Sequence, residues 1–228
     1  MGAELLTLPV TEAARGLVLT HLDTAETGCT RLLDAADTEA LHDFRVALRR
    51  LRSIEKAFRR QLELYFPKKL RKRIRAIAAE TGVARDTEVQ LAWLGEQREL
   101  IKSYEARGFD WLHRRLSLRI EEEYTALREH IPKAFPPLAA ELRDRLLAIK
   151  PQPEDELFCT RVADLLAQTG DEWLAHCQQI HGTSDAEQVH ATRIVGKRLR
   201  YLLEPVAEVW PETKALVADW SDEDIWKL

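Results

Sequence analysis

Two histidine–arginine series carry most of the chemistry this chain can offer, HDFRVALRRLRS at 42–53 and HATRIVGKRLRY at 190–201. His42, Arg45, Arg49, Arg50 and Arg52 of the first recur as His190, Arg193, Lys197, Arg198 and Arg200 of the second, at a constant offset of 148. A guanidinium is a planar fork of donors that matches two oxygens of a phosphate at once, and it stays charged at any physiological pH. Repeated along one element, such groups suit a linear polyanion. Phosphoryl transfer normally needs metal-binding carboxylates or a phosphate-cradling glycine loop beside the cations. Neither G-x-x-x-x-G-K-[ST] nor H-E-x-x-H occurs, and Asp43 is the one acid in the opening turn of the first series. A catalytic centre, a metal site and a cofactor are therefore not expected.

An ideal helix would gather His42, Arg45, Arg49, Arg52, Lys56, Arg59 and Arg60 within an arc of about 100°. Phe44, Leu48, Leu51, Ile54 and Phe58 fall on the opposite side, at about 120° to 240° from His42. The same construction places His190, Arg193, Lys197 and Arg200 on one stripe. Arg50 and Arg198 both lie off it, which makes them weaker ligand contacts and candidates for bridging to a neighbouring helix. A run of like charge destabilises its own helix, so something outside the helix should compensate. After Pro67, Lys68, Arg71, Lys72 and Arg75 form a further stripe opposite Leu70, Ile74 and Ile77. If that helix packs antiparallel on the previous one, the two stripes become the walls of a groove.

The charge balance points the same way. Residues 42–75 hold thirteen Lys or Arg against three acids, a formal +10, which leaves −14 for the rest of a chain whose net charge is −4. An acidic protein with its cations in one place implies a localised anion site rather than general polyanion affinity. With 228 residues, 45% of them hydrophobic, the chain can bury an ordinary core. No apolar run approaches the roughly 20 residues of a membrane span, and the N-terminus does not read as a secretory signal. No membrane insertion and a cytoplasmic location are the resulting expectations. Cys29, Cys159 and Cys177 are too few and too far apart for a disulfide framework or a CxxC motif, and they read as small packing residues.

No window alternates apolar and polar residues long enough for a strand, so the fold should be all-helical. The periodicity predicts helices at about 10–35, 38–64, 67–81, 84–106, 109–131, 138–149, 154–181 and 184–208, with a short piece after Pro211. Prolines in IPKAFPP (131–137) and KPQPEDE (150–156) should end helices, and Ser184 with Glu187 fits a capping box. The 148-residue offset extends upstream, pairing Leu17 with Leu165, Asp23 with Asp171, Cys29 with Cys177 and Asp37 with Asp185. Duplication of a helical unit is the simplest origin. It predicts two halves, about 8–131 and 138–228, related by a pseudo-twofold axis, with the two basic helices facing one shared surface.

These residues resemble the CHAD family, the conserved histidine α-helical domain. The resemblance rests on HDFRVALRRLRS, on HATRIVGKRLRYLLE and on TGVARDTEV (81–89), which is similar to that family's LGxxRDxDV segment. It covers nearly the whole chain, 1–228, as a single domain. It implies two four-helix bundles with pseudo-twofold symmetry, a basic central surface that binds inorganic polyphosphate, and no catalysis. It places His42, Arg45, Arg49, Arg50 and Arg52, and His190, Arg193, Lys197, Arg198 and Arg200, at ligand-contacting positions. Thr81 and Glu88 depart from the LGxxRDxDV pattern, which leaves Arg85 and Asp86 in place and keeps Arg85 among the candidate contacts. The second half is expected to be incomplete, because the sequence stops at DEDIWKL (222–228), about where its own version of that segment would begin.

Three function classes follow. The leading one is non-catalytic polyphosphate binding, at polyphosphate granules if these are present. Nucleic acid is the alternative polyanion, but the stripes lack interleaved aromatics on which bases would stack: Phe44 and Phe58 fall on the core side, and Tyr201 alone adjoins the second motif. An acidic-protein-binding helical module, or an accessory domain to a phosphohydrolase partner, would use the same surface.

Overall fold

The computed structural model describes residues 3–150, 155–182 and 185–207. Ser184 of the expected capping box, Pro151 and Pro153, the piece after Pro211 and DEDIWKL lie outside the described residues. Within them the fold is all-α. After a 3₁₀ turn at Ala3–Thr7 come α1 (Val10–Arg31), α2 (Ala40–Ala57), the single turn α3 (Arg59–Leu62), α4 (Lys68–Glu96), α5 (Ala106–Leu147), α6 (Phe158–Cys177) and α7 (Ala186–Ala207). The repeat is visible in these bounds. Shifted by 148, α1 would run 158–179 and α2 188–205, each within two residues of α6 and α7.

Two sequence expectations fail in the same direction. The helices expected at 67–81 and 84–106 are one helix, α4, which passes through Gly82, and those expected at 109–131 and 138–149 are one helix, α5, which passes through Pro132, Pro136 and Pro137. An interior proline costs about 3 kcal/mol and an interior glycine about 1 kcal/mol relative to alanine. In α5, Leu127, Ile131, Phe135, Leu138, Leu142 and Leu146 are all buried, at helical spacing on both sides of the prolines. Each such side chain returns about 1.5–3 kcal/mol on burial, so continuity outweighs the broken hydrogen bonds. In α4 the buried series Leu70, Ile74, Ile77, Thr81, Ala84 and Thr87 likewise runs across Gly82.

The chain divides into two compact units interleaved in sequence: residues 1–20, 50–65 and 146–228 form the first, and residues 21–49 and 66–145 the second. In the first unit, Phe58 packs on Phe158 with ring centroids 5.4 Å apart. The Trp173 indole Nε1 of α6 lies 3.1 Å from where a Cβ on Gly196 of α7 would sit. The starts of α1 and α6 are tied by a reciprocal exchange, with Phe158 N–H donating to the Leu8 carbonyl at 2.9 Å and Val10 N–H to the Glu156 carbonyl at 2.8 Å.

The second unit packs Phe44 edge-on against Phe135, centroids 5.0 Å apart. Its α1 and α2 approach so closely at Gly28 that a Cβ there would lie 3.0 Å from the Phe44 backbone. A ladder of polar pairs shows that α4 and α5 run antiparallel: Arg73 with Glu141, Glu80 with His130 at 2.6 Å, Thr87 with Glu123 at 3.0 Å, and Glu88 with Tyr124.

Candidate functional site

Helix α2 exists because its apolar positions fall on one side. Leu41, Phe44, Leu48, Leu51 and Ile54, with Phe58 just past its end, are all 2% exposed or less. Its start is organised by Asp37, which accepts the Glu39 N–H at 3.2 Å while Arg31 holds the carboxylate at 2.7 Å. Arg31 also donates to Asp43 at 2.5 Å, so the one acid in the basic helix's opening turn is bound to α1. The guanidinium beside Asp37 holds that carboxyl below the usual range.

Eight of the candidate residues lie in the second unit: His42, Arg45 and Arg49 on α2, and Lys68, Arg71, Lys72, Arg75 and Arg85 on α4. Arg45 joins the two helices. Its half-buried guanidinium donates to the Thr81 hydroxyl at 2.8 Å and to the Ala78 carbonyl at 3.4 Å. Burial lowers its pKa, and the positive charges of Arg49 and Arg85 act in the same sense while Asp86 and Glu88 oppose them. Arg85 pairs with Glu88 at 3.0 Å, and the Tyr124 hydroxyl donates to that same carboxylate. Burial, followed by the bond to Glu88, raises the Tyr124 pKa. Thr81 and Glu88, the two departures from the LGxxRDxDV pattern, are thus the residues that hold Arg45 and Arg85. On the outer face of α4, Lys68, Lys72 and Arg75 are exposed, and no acid pairs with them among the described residues.

The other eight lie in the first unit: Arg50, Arg52 and Lys56 on α2, and His190, Arg193, Lys197, Arg198 and Arg200 on α7. His190, Arg52 and Lys56 are exposed and the rest half-buried. Arg50 and Arg198 bridge to neighbouring helices, as their off-stripe position implied. Arg50 reaches Glu204 of α7 at 2.8 Å, and Arg198 reaches Glu172 of α6 at 2.8 Å. Glu204 also takes Arg200 at 3.2 Å, so one carboxylate serves an arginine from each copy of the motif. Beside Lys56 and Arg198, a cavity of about 140 Å³ opens between α2, α6 and α7, with Ile54, Leu165 and Leu202 in its walls.

Glu204, Thr81 and Tyr124 were not singled out as ligand-holding partners from sequence. For Glu204 a signal existed, since it lies four residues after Arg200, the spacing at which helical charges meet. Thr81 and Tyr124 act across 36 residues each, and nothing local marks them. Phe44 and Phe58 turn to the core as expected, and Tyr201, which adjoins the second motif, is also buried, at 6% exposure. Among the described residues, no group of three His, Cys, Asp or Glu could hold a metal ion, and no helix is long and apolar enough to cross a membrane.

Comparison with known proteins agrees with this arrangement. The crystal structure of the CHAD domain from the plant Ricinus communis superimposes with a TM-score of 0.73 at 22% sequence identity, covering 93% of this chain and 71% of that one. At that identity the likeness speaks for the fold. A search of curated proteins finds no match. The family model of the CHAD domain matches residues 16–222, which include both histidine–arginine helices. The chain therefore belongs to the CHAD domain family.

Proposed function

We propose that the protein binds inorganic polyphosphate, without catalysing its turnover, through the basic side chains that α2, α4 and α7 carry on their outer faces. The observation that supports this most is a contrast. Arg50, Arg73 and Arg198, off the stripes, are in ion pairs to Glu204, Glu141 and Glu172, and on the stripes Arg59 and Arg200 meet Glu55 and Glu204. Lys56, Lys68, Lys72 and Arg75 on the stripes are exposed and have no acid beside them among the described residues. An uncompensated row of cations is costly to its helix unless a ligand supplies the negative charge. A phosphate chain, with one charge per unit and no base edges to read, is recognised by charge and spacing. Because Phe44, Phe58 and Tyr201 are buried, the motifs offer no aromatic platform for nucleobases. On this reading the protein is cytoplasmic and gathers at polyphosphate granules, and any hydrolysis seen with it comes from a partner phosphohydrolase.

The test is a titration with long-chain polyphosphate, single-stranded DNA and duplex DNA at matched phosphate concentration and salt. Polyphosphate should bind more tightly than either nucleic acid, and the logarithm of the binding constant should fall linearly with the logarithm of salt. Arg49→Glu and Lys197→Glu should each weaken binding, while Lys133→Glu, outside both motifs, should not. Equal affinity for all three polymers would reduce the surface to a nonspecific one.

A further inference from the structure

The first part of α5 carries a second exposed pattern that the basic stripes do not use. Arg107, Trp111, Arg114, Arg115, Leu118, Glu121, Glu122, Thr125 and Glu129 are all exposed. On an ideal helix they fall within an arc of about 120°, on the side opposite the buried Phe109, Leu127 and Ile131. Trp111 is 65% exposed and Leu118 53% exposed. Arg107, Arg114, Arg115, Glu121 and Glu122 form no ion pair within the chain among the described residues. Glu129 keeps only a surface contact with Lys133 at 3.7 Å.

The order of charge along this face is what identifies its partner. Bases occupy the turns before Leu118 and acids the turns after it. If a second α5 is laid antiparallel with Leu118 opposite Leu118, Arg114 comes nearest Glu121 on one flank of the seam and Arg115 nearest Glu122 on the other, while Arg107 lies level with Glu129 and Trp111 with Thr125. Each of these charges, from Arg107 to Glu129, then has an opposite charge across from it, and the same pairs form twice, as a twofold interface requires. A partner of uniform charge would satisfy one end of the face and repel the other.

We propose that this face of α5 is a self-association surface, on which a second copy of the chain docks antiparallel about Leu118. The seam holds two large apolar side chains per copy amid exposed charges, so the dimer is weak and salt-sensitive. It forms at micromolar concentration and dissociates as ionic strength rises.

Sedimentation of the full chain across the micromolar range tests this without reference to any ligand. Wild type should shift from monomer to dimer. Arg114→Glu with Arg115→Glu should weaken association by about tenfold or more. Adding Glu121→Arg and Glu122→Arg to that variant should restore it, because the swapped charges again face their opposites. Leu118→Cys should give a disulfide-linked dimer on mild oxidation, whereas Leu147→Cys, exposed at the far end of α5, should not. A wild type that stays monomeric throughout, or a dimer that neither charge variant alters, overturns the proposal. Polyphosphate binding by the monomer is unaffected by either result.

Discussion

Pro9 and Leu157, equivalent positions in the two copies of the repeat, face each other at the starts of α1 and α6, flanked by the hydrogen bonds that Val10 and Phe158 donate to Glu156 and Leu8. Each of those bonds becomes the other when the numbering is shifted by 148. The pairing is therefore reciprocal at this point, with proline on one side and leucine on the other.

That asymmetry yields the first prediction. Leu157 has φ −70° and ψ 145°, which a proline ring adopts without strain, and it is 46% exposed, so little packing is lost. Pro9 shows that an N–H is not required at this position. Leu157→Pro should raise stability by about 0.4–1 kcal/mol by restricting the unfolded chain. Urea denaturation should show a higher midpoint with an unchanged slope.

Glu204 stands between binding and stability. It neutralises part of Arg50 and Arg200, and its side chain is only 16% exposed. Glu204→Gln keeps the volume and removes the charge. Polyphosphate titrations at several salt concentrations should then give tighter binding and a salt dependence steeper by about one to two counterions. Loss of affinity would mean that Glu204 aims the arginines rather than masking them.

The glycines separate close approach from mere tolerance. At Gly28 a methyl group would meet Phe44 backbone atoms, which cannot step aside, so Gly28→Ala should destabilise by about 1–3 kcal/mol. At Gly170, inside α6, nothing lies within 4 Å of an added Cβ. Gly170→Ala should therefore stabilise by about 0.5–1 kcal/mol. Thermal unfolding of the two variants should move in opposite directions.

Cys29 is 3% exposed, and burial, with a smaller effect from Glu26, pushes its thiol up to about 11. The folded protein favours the neutral thiol, so the contribution to stability is complete below the unfolded value of about 8.5. It is lost as pH rises from there to about 11, because the unfolded chain ionises first. The loss amounts to about 3 kcal/mol, at about 1.4 kcal/mol per pKa unit. Cys29→Ala should flatten that part of the stability profile. In native conditions a thiol reagent should label Cys159 and Cys177, which are partly exposed, and reach Cys29 only on unfolding.

The sequence was most informative where one helix face decides the matter. The apolar positions of α2 from Phe44 to Ile54, and Phe58 just past its end, are buried as their spacing required, and the off-stripe arginines bridge to neighbours. The repeat was also legible, because residue identity and helix bounds share one register. Continuity of α4 and α5 was not. Gly82 and Pro132 are local signals for a break, whereas the reason to continue lies in what Thr81 and Phe135 are buried against, and that is contributed by residues distant in the chain. The same holds for Arg45 and Thr81, whose partnership exists only once α2 and α4 have packed.

The contact between Trp173 and Gly196 bears on how the two copies have evolved. Their counterparts at the 148-residue offset are Ala25 and Leu48, both fully buried. Bulk carried by the second helix of the pair in one copy is carried by the first helix in the other. A chimera with the sequence of α6 in place of α1 would put tryptophan where the fully buried Ala25 stands, and the reverse exchange would leave alanine opposite Gly196. Either product should be less stable, the first by overpacking and the second by a cavity. The residue types at these positions are matched within each copy, so the two copies are not interchangeable parts although they share one register.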